Sequence, residues 1–165
     1  MAYNALAISS YLINYSSDIG KPISNLKLQK LLYYVQAAFL VELNRKCFDE
    51  GIVAWEYGPV VKDAYDKFKI YGRNYIPKQK DSDDIMQFDS EKNEIVLKPV
   101  KINLTSKEET IIKNVINSYK DIDNPFKLVE KTHLEKPWKE TRQGDEISIK
   151  LMKDYYTNHP EKLYA

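Results

Sequence analysis

Hydrophobic residues recur at three- and four-residue spacing through most of the chain, which is the spacing of an amphipathic helix. We predict helices over 5–15, from 24 or 25 to about 44, over about 59–71, behind 105–106, from 124–125 to about 132, and from 146–148 to about 156. A β-prone run lies at 51–57, and the runs 85–88 and 95–97 predict one small β-hairpin. The pattern therefore favours a mainly α fold, an α-rich single domain over 1–165 with its core at about 5–156.

The second predicted helix is apolar on nearly every side. One face repeats at helical spacing, and its members are Leu28, Leu31, Leu32, Val35 and Phe39. The other faces are also largely apolar, and such a helix is normally covered on several sides. We expect this helix to lie at the centre of the core. Its charged residues, among them Lys27 and Lys30, make it unsuitable as a membrane span.

Several sequence signals predict where elements begin and end. Gly58-Pro59 is expected to stop the β-prone run, with Pro59 in the first turn of the third helix. Pro137 is expected to keep 133–138 irregular. Two capping boxes remain possible for the fourth helix, Thr105 with Glu108 or Ser106 with Glu109. The polar stretch at about 73–84 predicts a surface loop or a loosely ordered linker.

Composition narrows the function classes. The 25 basic and 24 acidic residues give a net charge of +1, so nothing indicates a nucleic-acid or membrane-surface binder. Basic residues over 127–142 alternate with glutamates, which makes nucleic acid an unlikely partner. With Cys47 as the one cysteine, no intrachain disulfide can form. Because the N-terminus also lacks a signal-peptide pattern, we expect a cytoplasmic protein with no membrane association.

Candidate catalytic groups are few. The 5 glycines form no phosphate-binding loop, and the 2 histidines form no zinc-protease motif, so we expect no catalytic residue, metal or cofactor. Cys47 would need His133 or His159 as a base, and a semi-buried structural cysteine is the preferred interpretation. His133 and Glu135 are the one pair that a hydrolase hypothesis has available, and a structural hydrogen bond from His133 to the backbone is preferred. The acidic run 81–84 lacks the glycine and distal glutamate of a calcium loop.

Two short segments combine a tryptophan, a proline and polar residues. They are 54–61, with Trp55 and Tyr57, and 132–138, with His133 and Trp138. One interpretation is structural, with each tryptophan in the core and each proline at a corner. The other is a recognition surface, because tryptophan and tyrosine are frequent at binding hot spots. These four residues are therefore the candidate partner-binding residues, and we expect both segments to lie at or near the surface.

Three stretches of the chain resemble the SocA-like antitoxin family, also called the Panacea domain. Residues 26–34 resemble its K-L-Q-K-L-L-Y helix, 54–60 its A-W-x-x-G-P-V signature, and 132–138 its T-H-x-x-x-x-W segment. The residues that carry the resemblance are Lys27, Leu28, Gln29, Lys30, Leu31, Tyr33, Gly58, Pro59, Glu135 and Pro137.

This resemblance implies an antitoxin of a bacterial or phage toxin–antitoxin pair, which neutralises a cognate toxin by direct protein–protein binding. An alternative is a proteolytic adaptor that delivers the toxin to an ATP-dependent protease. The adaptor would need a second surface, for which 77–84 and the tail after Pro160 are candidates. The His133/Glu135 hydrolase is a further alternative.

Overall fold

The computed structural model describes residues 2–80, 84–99 and 102–165. Its helices are α1 (Ala5–Asp18), α2 (Asn25–Leu43), α3 (Lys62–Phe68), α4 (Ser106–Tyr119), α5 (Phe126–Leu134), α6 (Lys136–Lys139) and α7 (Ile149–Asn158). Two antiparallel hairpins complete it, β1 (Val53–Trp55) with β2 (Gly58–Val60), and β3 (Asp84–Asp89) with β4 (Glu94–Pro99). The predicted mainly α fold is confirmed, and β3–β4 is the hairpin expected from the sequence.

Helix α2 lies at the centre of the core. Every residue from 27 to 40 is buried, and α1, α3, α4, α5, α7 and β2 all pack against this helix. The five core residues predicted on α2 are each at most 1% exposed. A helix covered from so many directions has no face left for water, which is why its apolar residues occur at nearly every position.

Local capping sets the ends of α2 and α4. The Ser24 hydroxyl accepts a hydrogen bond from Lys27 N at 3.4 Å, and Asn44 ends α2 in the left-handed region at a φ of +54°. At α4, Thr105 and Glu108 form the capping box, with the Thr105 hydroxyl accepting from Glu108 N and the Glu108 carboxylate accepting from Thr105 N. The alternative register, one residue further on, is therefore not the one used.

The prediction that Gly58-Pro59 ends the β-prone run and starts a helix is wrong. Gly58 and Pro59 form the return strand β2, and α3 begins only at Lys62. Pro59 is tolerated because its opposite residue, Ala54, bonds through its backbone to the segment 144–145 rather than to Pro59. The missing N–H of Pro59 therefore costs the hairpin no hydrogen bond.

The prediction that residues 133–138 are irregular is also wrong. Helix α5 continues to Leu134, one extended residue follows at Glu135, and Lys136–Lys139 forms the single turn α6. Pro137 lies in the first turn of α6, where a backbone N–H has no intrahelical partner. The helix is therefore interrupted between α5 and α6 at Glu135, whose φ of −93° and ψ of 137° are those of extended backbone.

Both segments that the adaptor alternative needs as a second surface are anchored where the structure describes them. Lys78 pairs with Asp18 at 2.6 Å, and Gln79 N donates to Asn14 Oδ1 at 2.7 Å. Residues 81–83, with most of the acidic run, lie outside the described residues. In the C-terminal tail, Leu163 is buried and its carbonyl accepts from the Tyr119 hydroxyl at 2.8 Å. Across the described ranges, no helix combines the length and apolarity that crossing a membrane requires.

Candidate functional site: an aromatic groove beside the first hairpin

A groove of about 740 Å³ lies between the β1–β2 hairpin, the N-terminus of α2, the end of α3 and the start of α5. Its aromatic wall consists of two ring pairs in edge-to-face contact. Trp55 and Tyr65 have ring centroids 5.1 Å apart, and Tyr57 and Phe126 have centroids 5.8 Å apart. Edge-to-face geometry is the favoured arrangement of aromatic pairs, so the wall has a defined shape.

The outer ring pair of the groove is unusually accessible. Tyr57 is 54% exposed and Phe126 is 45% exposed, although the two rings contact each other. Large aromatic side chains that touch each other and still face water form an apolar patch, which is typical of an interaction site. Trp55 is half-buried in the same wall.

The other two predicted partner-binding residues lie behind the hairpin and do not line the groove. Trp138 Nε1 donates to the carbonyl of Trp55 at 2.9 Å, and the His133 ring stacks on Trp138 with centroids 3.9 Å apart. Both side chains are half-buried. The backbone hydrogen bond expected for His133 is not formed at Nε2, which is buried and has no hydrogen-bond partner in the described part of the chain. Trp138 therefore supports the strand that carries Trp55.

Sequence reasoning missed two walls of the groove. The sequence patterns did not single out Tyr65, on α3, or Phe126, at the start of α5, as candidate binding residues. On a helical wheel, Phe126 lies outside the arc of the residues that α5 buries, namely Leu128, Val129 and Thr132. That offset is the signal that identifies Phe126 as a surface residue.

Two polar residues of the α2 motif hold the hairpin in place. Gln29 Oε1 accepts from Val61 N at 2.9 Å, and its Nε2 donates to Asn25 Oδ1 at 2.9 Å. Lys30 Nζ donates to the carbonyl of Pro59 at 3.2 Å. Both side chains are buried, so they join α2 to β2 and to the start of α3 from inside the molecule.

The charged motif residues of α2, Lys27 and Lys30, are buried, and no carboxylate of the described residues is bonded to their amines. Burial lowers the pKa of Lys30 from 10.5 to about 7. Burial likewise lowers the pKa of Lys27, whose Nζ donates to the carbonyl of Ile122 at 2.8 Å, just beyond α4. These lysines satisfy backbone carbonyls of neighbouring elements.

Gly58 is required by both conformation and space. Its φ is +103°, a region that other residues rarely adopt. A Cβ at this position would lie 2.8 Å from Lys30 Cε and 2.8 Å from Thr132 Oγ1. The glycine therefore lets β2 approach α2 and α5 closely enough for the bond between Lys30 and Pro59.

Glu135 is the centre of a buried polar cluster. Its Oε1 accepts from the hydroxyls of Tyr34 at 2.5 Å and Tyr156 at 2.9 Å, and its Oε2 pairs with Lys131 Nζ at 2.8 Å. The Tyr156 hydroxyl oxygen also lies 3.0 Å from that of Tyr33, which can donate to it because the Tyr156 proton is directed to Glu135. Burial first, and then the nearby carboxylate, raise the pKa of Tyr34 well above its usual value. The cluster links α2, α5 and α7.

The two residues of the hydrolase alternative have separate partners. Glu135 faces the tyrosine cluster, whereas His133 lies against Trp138. No hydrogen bond joins these two side chains among the described residues, so the acid–base pair that the alternative needs is not assembled. The other apolar motif residues, Leu28, Leu31 and Pro137, are buried.

Cys47 is fully buried, which corrects the expectation of a semi-buried cysteine. Burial raises the pKa of its thiol well above the usual value, and this effect exceeds the opposing influence of Arg45. The thiol therefore stays protonated and poorly reactive. Over the ranges that the structure covers, no group of three or more His, Cys, Asp or Glu side chains is arranged to hold a metal ion.

Comparisons with known proteins agree with the resemblance noted in the sequence. The family model described as "Antitoxin SocA-like, Panacea domain" matches residues 28–139, which include the α2 motif from Leu28 onwards and the whole hairpin. The antitoxin SocA of Caulobacter vibrioides (strain NA1000 / CB15N) is 38% identical over 73 residues. These residues are 44% of this chain and 39% of that protein, so the match spans well under half of the curated relative. No solved structure is significantly similar to the chain.

Proposed function

The chain belongs to the SocA-like antitoxin family (Panacea domain), and from this membership we propose that it neutralises a toxin by binding it directly through the aromatic groove. The observation that carries this proposal is the exposed, edge-to-face contact of Tyr57 with Phe126. Aromatic side chains on a concave surface provide most of the binding energy in many protein interfaces. This proposal places the binding in the cytoplasm.

The support behind the groove favours direct binding. Lys30, Gln29 and Trp138 each form a hydrogen bond to the backbone of the hairpin or of the residue that follows it. A surface that is already ordered before binding loses less conformational entropy when the partner arrives. The hairpin is therefore suited to present Trp55 and Tyr57 as fixed contacts.

The proposal is tested by co-expression with the product of the neighbouring gene, scored by pull-down and by rescue of growth. Tyr57→Ala and Phe126→Ala should each weaken the complex by about 2 kcal/mol, roughly thirtyfold in affinity, and reduce rescue. Tyr75→Ala is the matched control, because Tyr75 is 65% exposed but does not line the groove. Unchanged binding by both groove variants, with thermal stability intact, would contradict the proposal.

Direct binding and delivery to a protease differ in the fate of the toxin. We expect rescue with an unchanged toxin half-life, because the described parts of 77–84 and of the C-terminal tail are anchored to the body of the protein. A toxin half-life that shortens only when this chain is present would instead favour the adaptor alternative. Pulse-chase labelling of the toxin in the rescued strain distinguishes the two.

A further inference from the structure

The first hairpin has no free backbone edge for a partner strand. On the β1 side, Ala54 N donates to the carbonyl of Asp145 at 2.9 Å, and the carbonyl of Ala54 accepts from Gly144 N at 2.7 Å. On the β2 side, the outward-facing residue is Pro59, which has no N–H and whose carbonyl accepts from Lys30. Recognition by strand addition needs unpaired backbone groups, so a partner in this groove must be recognised through its side chains.

The groove also presents one unpaired charge of each sign. Glu56 lies in the hairpin turn and Arg73 follows α3, and both side chains line the groove and are exposed. Within the described ranges, neither of them forms an ion pair or a hydrogen bond. Lys69, the remaining charged residue of the lining, already contacts Asp66 at 3.4 Å.

We propose that the groove receives an apolar segment of the toxin that also carries an acidic residue for Arg73 and a basic residue for Glu56. This inference rests on the proposed function and specifies its partner. The apolar side chains pack against the aromatic wall, and the two charges determine which segment fits, because a partner with like charges at these positions is repelled. Neither side chain of this chain has to leave an existing ion pair to bind.

The inference is tested by selecting binders to the full chain from a random dodecapeptide library displayed on phage. Enriched peptides should combine aromatic or large aliphatic residues with one acidic and one basic position. Selection against Arg73→Glu should replace the acidic position by a basic one, and selection against Glu56→Lys should do the reverse. Peptides without a charge preference, no enrichment at all, or a preference that neither variant changes would overturn the inference.

Affinities of one selected peptide provide the quantitative readout. By fluorescence anisotropy, Arg73→Glu should weaken binding about tenfold, since an exposed attraction becomes a repulsion. Lys107→Glu is the matched control, an exposed cation on α4 away from the groove, and it should change the affinity less than about twofold. Equal effects of the two variants would overturn the inference by showing that only net charge matters.

Three further outcomes are informative, and the last two keep this inference separate from the proposed function. Self-association of the chain that is abolished by Tyr57→Ala would assign the groove to a second copy and overturn the inference. The selection uses no toxin, so a peptide result of the expected kind without toxin binding contradicts the proposed function, and with it the assignment of the segment to a toxin, but not the charge preference of the groove. Rescue that depends on Tyr57 but not on Arg73 or Glu56 contradicts this inference alone.

Discussion

The buried amine of Lys30 should make the stability of the protein rise between about pH 7.5 and pH 9.5. Its pKa is about 7 in the folded chain and 10.5 in the unfolded chain. Between these values the unfolded chain binds the proton that the folded chain has lost, so the free energy of unfolding increases with pH. The destabilising contribution is fully present below about pH 7 and disappears as the pH approaches 10.5.

The size of this effect follows from the two pKa values. Each pH step within the window changes the free energy of unfolding by up to about 1.4 kcal/mol, and the whole window corresponds to about 5 kcal/mol as an upper limit. We expect Lys30 to contribute a rise of about 2 kcal/mol from pH 7.5 to 9.5. The buried Cys47 thiol opposes this rise at the upper end of the range, because burial raises its pKa and keeps it protonated in the folded chain. Above about pH 10 the buried tyrosines act in the opposite direction, because burial raises the pKa of Tyr33 and Tyr119 and keeps their hydroxyls protonated in the folded chain.

Urea denaturation followed by tryptophan fluorescence at pH 7.5, 8.5 and 9.5 measures the effect. Lys30→Met keeps most of the side-chain volume and should remove about 1 kcal/mol per pH step from the slope. The absolute stability of Lys30→Met is not the test, because two effects of opposite sign contribute to it. The carbonyl of Pro59 loses its hydrogen-bond donor, which destabilises the fold, and a buried amine is removed, which stabilises it. Lys107→Met, at an exposed position, should keep the wild-type slope. The same slope in Lys30→Met and wild type would refute the reasoning.

Two substitutions test the packing around the site. Gly58→Ala should cost at least about 2 kcal/mol, because a Cβ meets Lys30 and Thr132, whereas Gly144→Ala, at a φ of +91° with open space around it, should cost less. If thermal unfolding shows the same loss of stability for Gly58→Ala and Gly144→Ala, backbone strain alone accounts for the requirement for glycine at position 58. Glu135→Gln should cost about 3 kcal/mol in urea unfolding, because it leaves the charge of Lys131 without its partner. A loss below about 1 kcal/mol would mean that the tyrosine hydroxyls alone hold the cluster together.

Local sequence patterns were sufficient for several parts of the fold. The apolar residues on every side of 25–44 predicted the central helix, and α2 is buried without interruption from 27 to 40. The Thr105–Glu108 capping box and the β3–β4 hairpin also follow from residues close together in the chain. In each case the structure depends on contacts within one element or between neighbouring strands, which a short window of sequence contains.

The same patterns failed where a distant contact decides the conformation. Gly58-Pro59 has the local signature of a helix start, but its pairing with β1 and the hydrogen bond from Lys30 of α2 hold it as a strand. Phe126 is a large apolar residue of the kind that usually lies in a core, but the position of the hairpin leaves it in the wall of a groove. The strand at 58–59 cannot be obtained from the residues on either side, whereas the offset of Phe126 on the helical wheel of α5 is a local signal of its exposure.

The sequence by itself determined the family motif, the mainly α character and the central helix, because helical periodicity records which faces are buried. Only the tertiary structure decided what the polar motif residues do. Lys30 and Glu135 bond to groups that are 29 and 101 residues away along the chain, at Pro59 and Tyr34. Such bonds depend on how the elements pack. Lys30 is buried behind the hairpin by this packing, whereas Tyr57 and Phe126 remain exposed.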